Sequence, residues 1–266
     1  MPTTRELLSF YLEAGVDCAL AEQPIDRLSE EAVPEEKPAP RPVQFRTANQ
    51  PVASQPAEQL PAPDAAIVSA REIAPKAASL DELRGLLERF DGCALKSTAT
   101  KLVFADGNPE AKIMFVGEAP GRDEDIEGLP FVGRSGKLLD LMMGAIGLNR
   151  SNAYIANVIP WRPPGNRDPS PQETQICLPF IKRQIELVNP DVVVCLGKPS
   201  SQAILDLKDG IMKTRGKWFD YNTGTRQIRA MATFHPAYLL RQPIYKRLAW
   251  QDLRAVQKAL AKADAS

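Results

Sequence analysis

The chain has 266 residues, 44% of them hydrophobic, with 33 Lys plus Arg against 33 Asp plus Glu, enough to bury one domain-sized core. No apolar run reaches the roughly 18 to 20 residues of a membrane helix, and the first residues lack the charged-then-apolar order of a signal peptide, so the expectation is a soluble cytoplasmic protein with no membrane association. The zero net charge hides an asymmetry: residues 1–110 carry 11 basic against 18 acidic side chains, and residues 111–266 carry 22 against 15, an excess that is either a solvated surface or a face for a polyanion such as nucleic acid.

In chain order, residues 1–28 form a short helical segment. Leu7, Leu8, Tyr11, Leu12 and Val16 lie near helical spacing, with Thr4 as a cap, and the helix docks either on the chain's own core or on a protein partner. Residues 29–78 are rich in Pro, Ala, Glu and Gln, a composition that cannot offset the entropy of ordering, and are expected to be a disordered linker. From 79 to 266 an alternating pattern takes over. Ser79 caps a helix over 80–90; strands are predicted at 112–117, 153–158, 191–196 and 227–232, and helices at 135–146, 171–188, 199–207 and 245–262. Strands alternating with helices predict an α/β fold, a four-stranded parallel sheet flanked by helices on both faces, with ligands bound beyond the carboxyl ends of the strands. The four cysteines, Cys18, Cys93, Cys177 and Cys195, show no close pairing, and no disulfide is expected.

Unusual residues gather at those strand ends. Gly117-Glu118-Ala119-Pro120-Gly121 follows the first strand, Asn157 closes the second, and Gly197-Lys198-Pro199-Ser200 follows the third. His235, the only histidine, stands after the fourth in Thr233-Phe234-His235-Pro236. Phe131 lies on the Gly/Pro-rich loop Leu129-Pro130-Phe131-Val132-Gly133. Each has an ordinary alternative: a satisfied histidine, a capping asparagine, a core aromatic, a carboxylate on backbone amides. Together they have the makings of a pocket for a flat polar ring. No GxGxxG follows the first strand and there is no P-loop, which sets a nucleotide-using Rossmann enzyme aside.

The segments GEAPGRDEDIEGLPFVGRSGKLLD, NVIPWRPPGNRDPSP, LGKPS and FHPAYLLRQP, in this order, resemble the uracil-DNA glycosylase superfamily, and most closely its family 4, whose members usually hold an iron-sulfur cluster. The resemblance covers about residues 80–262 and implies a uracil-DNA glycosylase-like α/β/α sandwich that cuts the N-glycosidic bond of uracil in DNA, double- or single-stranded, in base excision repair. The alternative is a DNA-binding accessory module that keeps the pocket without turnover. A monomer acting in the cytoplasm, at the nucleoid during repair, is expected.

The resemblance also implies roles. Phe131 is the face on which uracil stacks, beside Gly117 and Ala119. Asn157 donates to O4 and accepts from N3–H, a pattern cytosine reverses. His235 donates to O2 as the base leaves, and Glu118 positions water or stabilises the cationic sugar. Glu124 and Asn166 orient water or the loop, and the general-base role is left open between Glu118 and Glu124. Ala119 stands where other families of the fold carry a water-activating aspartate. Tyr238-Leu239-Leu240-Arg241 resembles a loop that wedges into the duplex, with Leu240 as the preferred plug and Leu239 next. Ser135, Lys198, Arg162 and Arg167 are either phosphate contacts or solvated loop residues. A covalent-trapping branch of the superfamily carries an extra histidine after the asparagine strand; residues 161–168 have none, which excludes that mechanism. The family's cluster cysteines fall at 90, 93, 161 and 177, where this chain has Phe90, Cys93, Trp161 and Cys177. Two thiolates are not the usual four ligands, so no cluster, metal or other cofactor is expected.

Overall fold

The computed structural model describes residues 63–263; the expected helix over 4–20 and the expected linker up to residue 62 lie outside the described residues. The linker expectation is corrected at its end. Helix α1 (Pro63–Ile73) and a 3-10 turn (Ala74–Lys76) occupy the segment read as unordered. Its driving surface is a stripe of small residues, Ala66, Ala70, Ala74 and Ala77, none more than 1% exposed, which lets the helix axis come close to its neighbour. Then follow α2 (Leu80–Arg89), started by Ser79 Oγ accepting from Glu82 N, and α3 (Leu95–Thr98). The remaining elements are β1 (Asp106–Gly107), β2 (Ile113–Gly117), α4 (Arg122–Glu127), α5 (Arg134–Gly144), β3 (Tyr154–Asn157), α6 (Pro171–Val188), β4 (Val192–Leu196), α7 (Lys198–Leu205), α8 (Ile211–Thr214), β5 (Trp218–Asn222), β6 (Gln227–Thr233), α9 (Pro236–Arg241) and α10 (Lys246–Ala263).

The strands form one sheet in the order β1-β3-β2-β4-β6-β5. Its four inner strands are parallel, as expected, but two antiparallel edge strands make it a mixed six-stranded sheet. The edges escape a pattern reading for a physical reason: β1 spans two residues, and of β5 only Tyr221 is buried, so neither carries a run or an alternation. β5 is held from the side by Arg229, whose guanidinium lies 4.0 Å from the Trp218 ring centre.

Burial of period two divides the inner strands between two cores. Met114, Val116, Val193 and Cys195 face α1, α2, α6 and α7; Ile113, Phe115, Val192 and Val194 face α5, α9 and α10. Helix α6, which α1 packs on, starts with a reciprocal cap: Ser170 Oγ accepts from Glu173 N at 3.1 Å and Glu173 Oε2 from Ser170 N at 2.7 Å. Among the described residues no helix is long and apolar enough to cross a membrane. With both faces covered, the sheet offers its carboxyl edge, where Gly117 pairs in register with Asn157 and Leu196 with Thr233.

Candidate active site

A cavity of about 350 Å³ opens at that edge. Glu118, Ala119, Phe131, Asn157 and His235 line it, delivered by the ends of β2, β3 and β6 and by the loop before α5. Glu124, Ser135, Asn166, Arg167 and Arg241 also reach its wall. Gly117 lies beneath them. A Cβ there would sit 2.3 Å from Asn157 Oδ1 and 2.5 Å from the Phe131 ring, so only glycine lets both side chains close over the strand end.

Phe131 is 4% exposed yet has φ of 56°, a left-handed conformation that costs a non-glycine residue about 1–3 kcal/mol and persists only where the surroundings impose it. Its ring centre lies 5.6 Å from that of His235, the planes inclined by 32°. Asn157 is buried, and its amide makes no hydrogen bond to a described residue.

His235 ends β6 and caps α9. Its Nδ1 accepts from Ala237 N at 3.1 Å, which assigns the proton of the neutral ring to Nε2. Burial, and then the charge of Arg241, pushes the imidazole down to about 4, so at neutral pH the ring is an uncharged donor. Glu118 moves the other way: burial, then the Asp168 carboxylate, raises it to about 7. Asp168 is a cavity residue that sequence reasoning missed. The only available signal was its place two residues after Asn166 on the same loop.

Other expected residues are placed differently. Glu124 has its oxygens taken up: Oε1 accepts from Val132 N at 3.1 Å and Gly133 N at 3.0 Å, and Oε2 from Gly121 N at 3.0 Å. Of the two carboxylates left open for water activation, Glu124 organises backbone and Glu118 faces the cavity. Asn166 accepts from Arg162 Nε at 2.7 Å, and Arg162 also stands 3.9 Å from Asp125, so this arginine braces the loop rather than pointing to a phosphate. Arg167 is likewise paired, bidentate, with Glu173. The wedge segment is helix α9, not a loop. Leu239 is 1% exposed in the core below it, which corrects its place as second plug, because a side chain packed there has no reach outward. Tyr238 packs in a three-ring cluster with Phe234 and Tyr245, each pair of ring centres 5.4–5.6 Å apart. Leu240, 37% exposed, and Arg241 remain on the surface, as does Lys198 at the start of α7.

Away from the cavity, Cys93 and Cys177 are buried with their sulfurs 4.0 Å apart. The thiol of Cys177 donates to Cys93; this bond and burial both raise Cys177, and the same bond lowers Cys93 against the opposing effect of burial. Phe90 and Trp161 are buried in the same core, Phe90 edge-on to Phe180 at 5.0 Å. Among the described residues no three His, Cys, Asp or Glu side chains are grouped to hold a metal ion. Two thiols and two aromatic rings do not fit a four-thiolate cluster.

Residues 104–254 match the profile of the family described as "Uracil DNA glycosylase superfamily". The chain is 40% identical over 188 residues to a type-4 uracil-DNA glycosylase of Archaeoglobus fulgidus, covering 69% of this chain and 94% of that one. It is 38% identical to the type-4 enzyme of Saccharolobus solfataricus, over 69% and 87% of the two chains. Against that of Thermotoga maritima the identity is 39%, over 66% and 92%.

Proposed function

The chain belongs to the uracil DNA glycosylase superfamily, and from that premise we propose that it hydrolyses the N-glycosidic bond of uracil in DNA and leaves an abasic site. The observation that carries the reading is the meeting of Phe131, Asn157, Glu118 and a neutral His235 around one cavity at the strand ends.

A base inside a duplex is out of reach, so the nucleotide is flipped outward at a cost of a few kcal/mol, least where it is mispaired or single-stranded. Uracil then stacks on Phe131, and Asn157 donates to O4 and accepts from N3–H. Cytosine presents the reverse pattern and would leave a buried polar pair unmade. As the glycosidic bond lengthens, the electron pair moves onto the base and negative charge grows on O2. The Nε2–H of His235 is held there as a fixed donor, and such donors contribute about 2.7–4 kcal/mol to the transition state. A neutral imidazole suits this task, since the bond accepted at Nδ1 fixes its proton on Nε2 and no charge must be desolvated beforehand. The ionised Glu118 faces the sugar side, where it stabilises the cationic deoxyribose or takes the proton of the attacking water.

In this reading the protein works as a cytoplasmic monomer on double- or single-stranded DNA. Leu240 fills the gap left by the flipped nucleotide, and Ser135, Lys198 and Arg241 meet phosphates. The protein carries no iron-sulfur cluster, in keeping with Phe90 and Trp161 at the positions of two ligands, and no step of the chemistry calls for one.

The test is an oligonucleotide with a single uracil, in duplex and single-stranded form, incubated with the protein and then treated with alkali. Scission at the uracil that is strongly slowed in Glu118→Gln and His235→Ala is expected. Tight binding with an intact strand after prolonged incubation would replace the enzyme with an accessory DNA-binding module.

A further inference from the structure

The strained backbone of Phe131 has a support that lies outside the cavity. Arg150 stands on the loop between α5 and β3 and is absent from the cavity wall. Its Nη1 donates to Pro130 O at 3.1 Å and its Nη2 to Phe131 O at 2.5 Å. The guanidinium is itself fixed from two sides, by Asp106 on β1 at 2.5 Å and by Asp140 on α5 at 2.9 Å. On the other side of the same turn, Glu124 takes Val132 N and Gly133 N. Three successive peptide groups are therefore gripped by one cation and one anion, the middle one, between Phe131 and Val132, at both its carbonyl and its N–H. Gly136 closes the arrangement: a Cβ there would fall 1.7 Å from Phe131 O, so the first turn of α5 presses directly on the carbonyl that Arg150 holds.

We propose that Arg150 is a positioning residue for base excision, which together with Glu124 clamps the 130–133 turn so that the Phe131 ring meets the flipped base at a fixed height above Asn157 and His235. This rests on the reading that Phe131 is the stacking face. The physical logic is that a left-handed residue persists only where its surroundings over-determine it. A planar fork reaches two adjacent carbonyls and two carboxylates at once, whereas the point charge of a lysine does not. Release of the clamp lets the turn relax and the ring shift, and a displacement on the order of 1 Å in a positioned reaction costs about 100-fold.

Arg150→Lys is the informative variant, because it keeps Asp106 and Asp140 partnered by a cation. It is measured in the native and the Phe131→Ala backgrounds for kcat, KM and inhibition by free uracil, with thermal melting and binding to uracil-free DNA as controls. In the native background kcat/KM falls about 10- to 100-fold and uracil inhibition weakens in parallel, while affinity for uracil-free DNA is kept. In the Phe131→Ala background the same substitution adds no more than about twofold, the mark of two residues acting as one. An equal loss in both backgrounds, or native kinetics in Arg150→Lys, overturns the clamp and leaves stacking standing. Native rates in Phe131→Ala alone sink the stacking reading, which is a separate result. If Arg150→Lys does not fold, Asp140→Asn, which loosens the guanidinium from the surface side, is expected to give a smaller loss of the same background-dependent kind; additivity there overturns the clamp as well.

Discussion

The cavity at the strand ends and the corner around Cys93 and Cys177 treat buried polar atoms in opposite ways. In the cavity, the Asn157 amide has no partner among the described residues, His235 keeps Nε2–H for an outside acceptor, and Glu118 is held near neutrality by burial and Asp168. In the corner the two thiols pair with each other, within the apolar core that also holds Phe90, Trp161 and Phe180. Polar groups turned into an open cavity without protein partners are available to a ligand that completes the set; self-paired groups in apolar packing mark a place that is already finished. The two regions lie on one chain with one family pattern, and it is the cavity that keeps its polar residues whereas the corner has two of its four expected thiols replaced by rings.

The comparison is broken most severely at His235. His235→Ala removes the donor to O2 and is expected to lower the single-turnover excision rate about 10²- to 10³-fold. Melting temperature should change little, since the lost bond is one local cap on α9. A rate within tenfold of native would mean that the cavity does not stabilise a departing anion. Glu118 gives the next effect, read as a pH profile. Its carboxyl is raised from 4.5 to about 7 and His235 lowered from 6.5 to about 4. With the imidazole neutral above about 4, the acid limb of kcat/KM belongs to Glu118, falling tenfold per pH unit below about 7 and flattening in Glu118→Gln. The stability windows run in opposite directions. The folded state holds the Glu118 proton more tightly than the unfolded chain, so that contribution is lost as pH rises from about 4.5 to about 7. The folded state holds the His235 proton less tightly, so its contribution is lost as pH falls from about 6.5 to about 4. A profile whose limb stays in place in Glu118→Gln assigns it to another group.

What could be read from the sequence follows the same division. The inner strands were legible because burial on both faces leaves continuous apolar runs, and the motif residues were legible because they sit at the ends of those runs. Gly117, Phe131, Asn157 and His235 fall together in space for that reason. The edges β1 and β5 were not, since a strand pairing on one side needs no apolar run. Helix α1 was hidden because alanine counts little in hydropathy yet packs closely. Glu124 against Glu118 could not be divided in one dimension: both are carboxylates on the same glycine-rich stretch, and only the positions of Val132 N and Gly133 N separate them. Leu239 against Leu240 depends in the same way on the direction of one short helix, which neighbouring identical residues cannot reveal.

The smallest effect on turnover is expected at the corner, and it is the sharpest test of the division. A cluster would need four thiolates, yet Phe90 lies against Phe180 and Trp161 is 2% exposed, so both rings are part of the packed core rather than a rim that a metal could displace. Replacing Cys93 and Cys177 by alanine removes two small side chains from an apolar site, at a cost on the order of 1 kcal/mol in stability, with excision below the melting temperature within about twofold of native. Purified protein should carry far less than one iron per chain and no visible charge-transfer absorbance. Stoichiometric iron that vanishes with the two cysteines, together with lost folding, would show that aromatic packing has not taken the place of the metal, and that the corner is as dependent on a ligand as the cavity is.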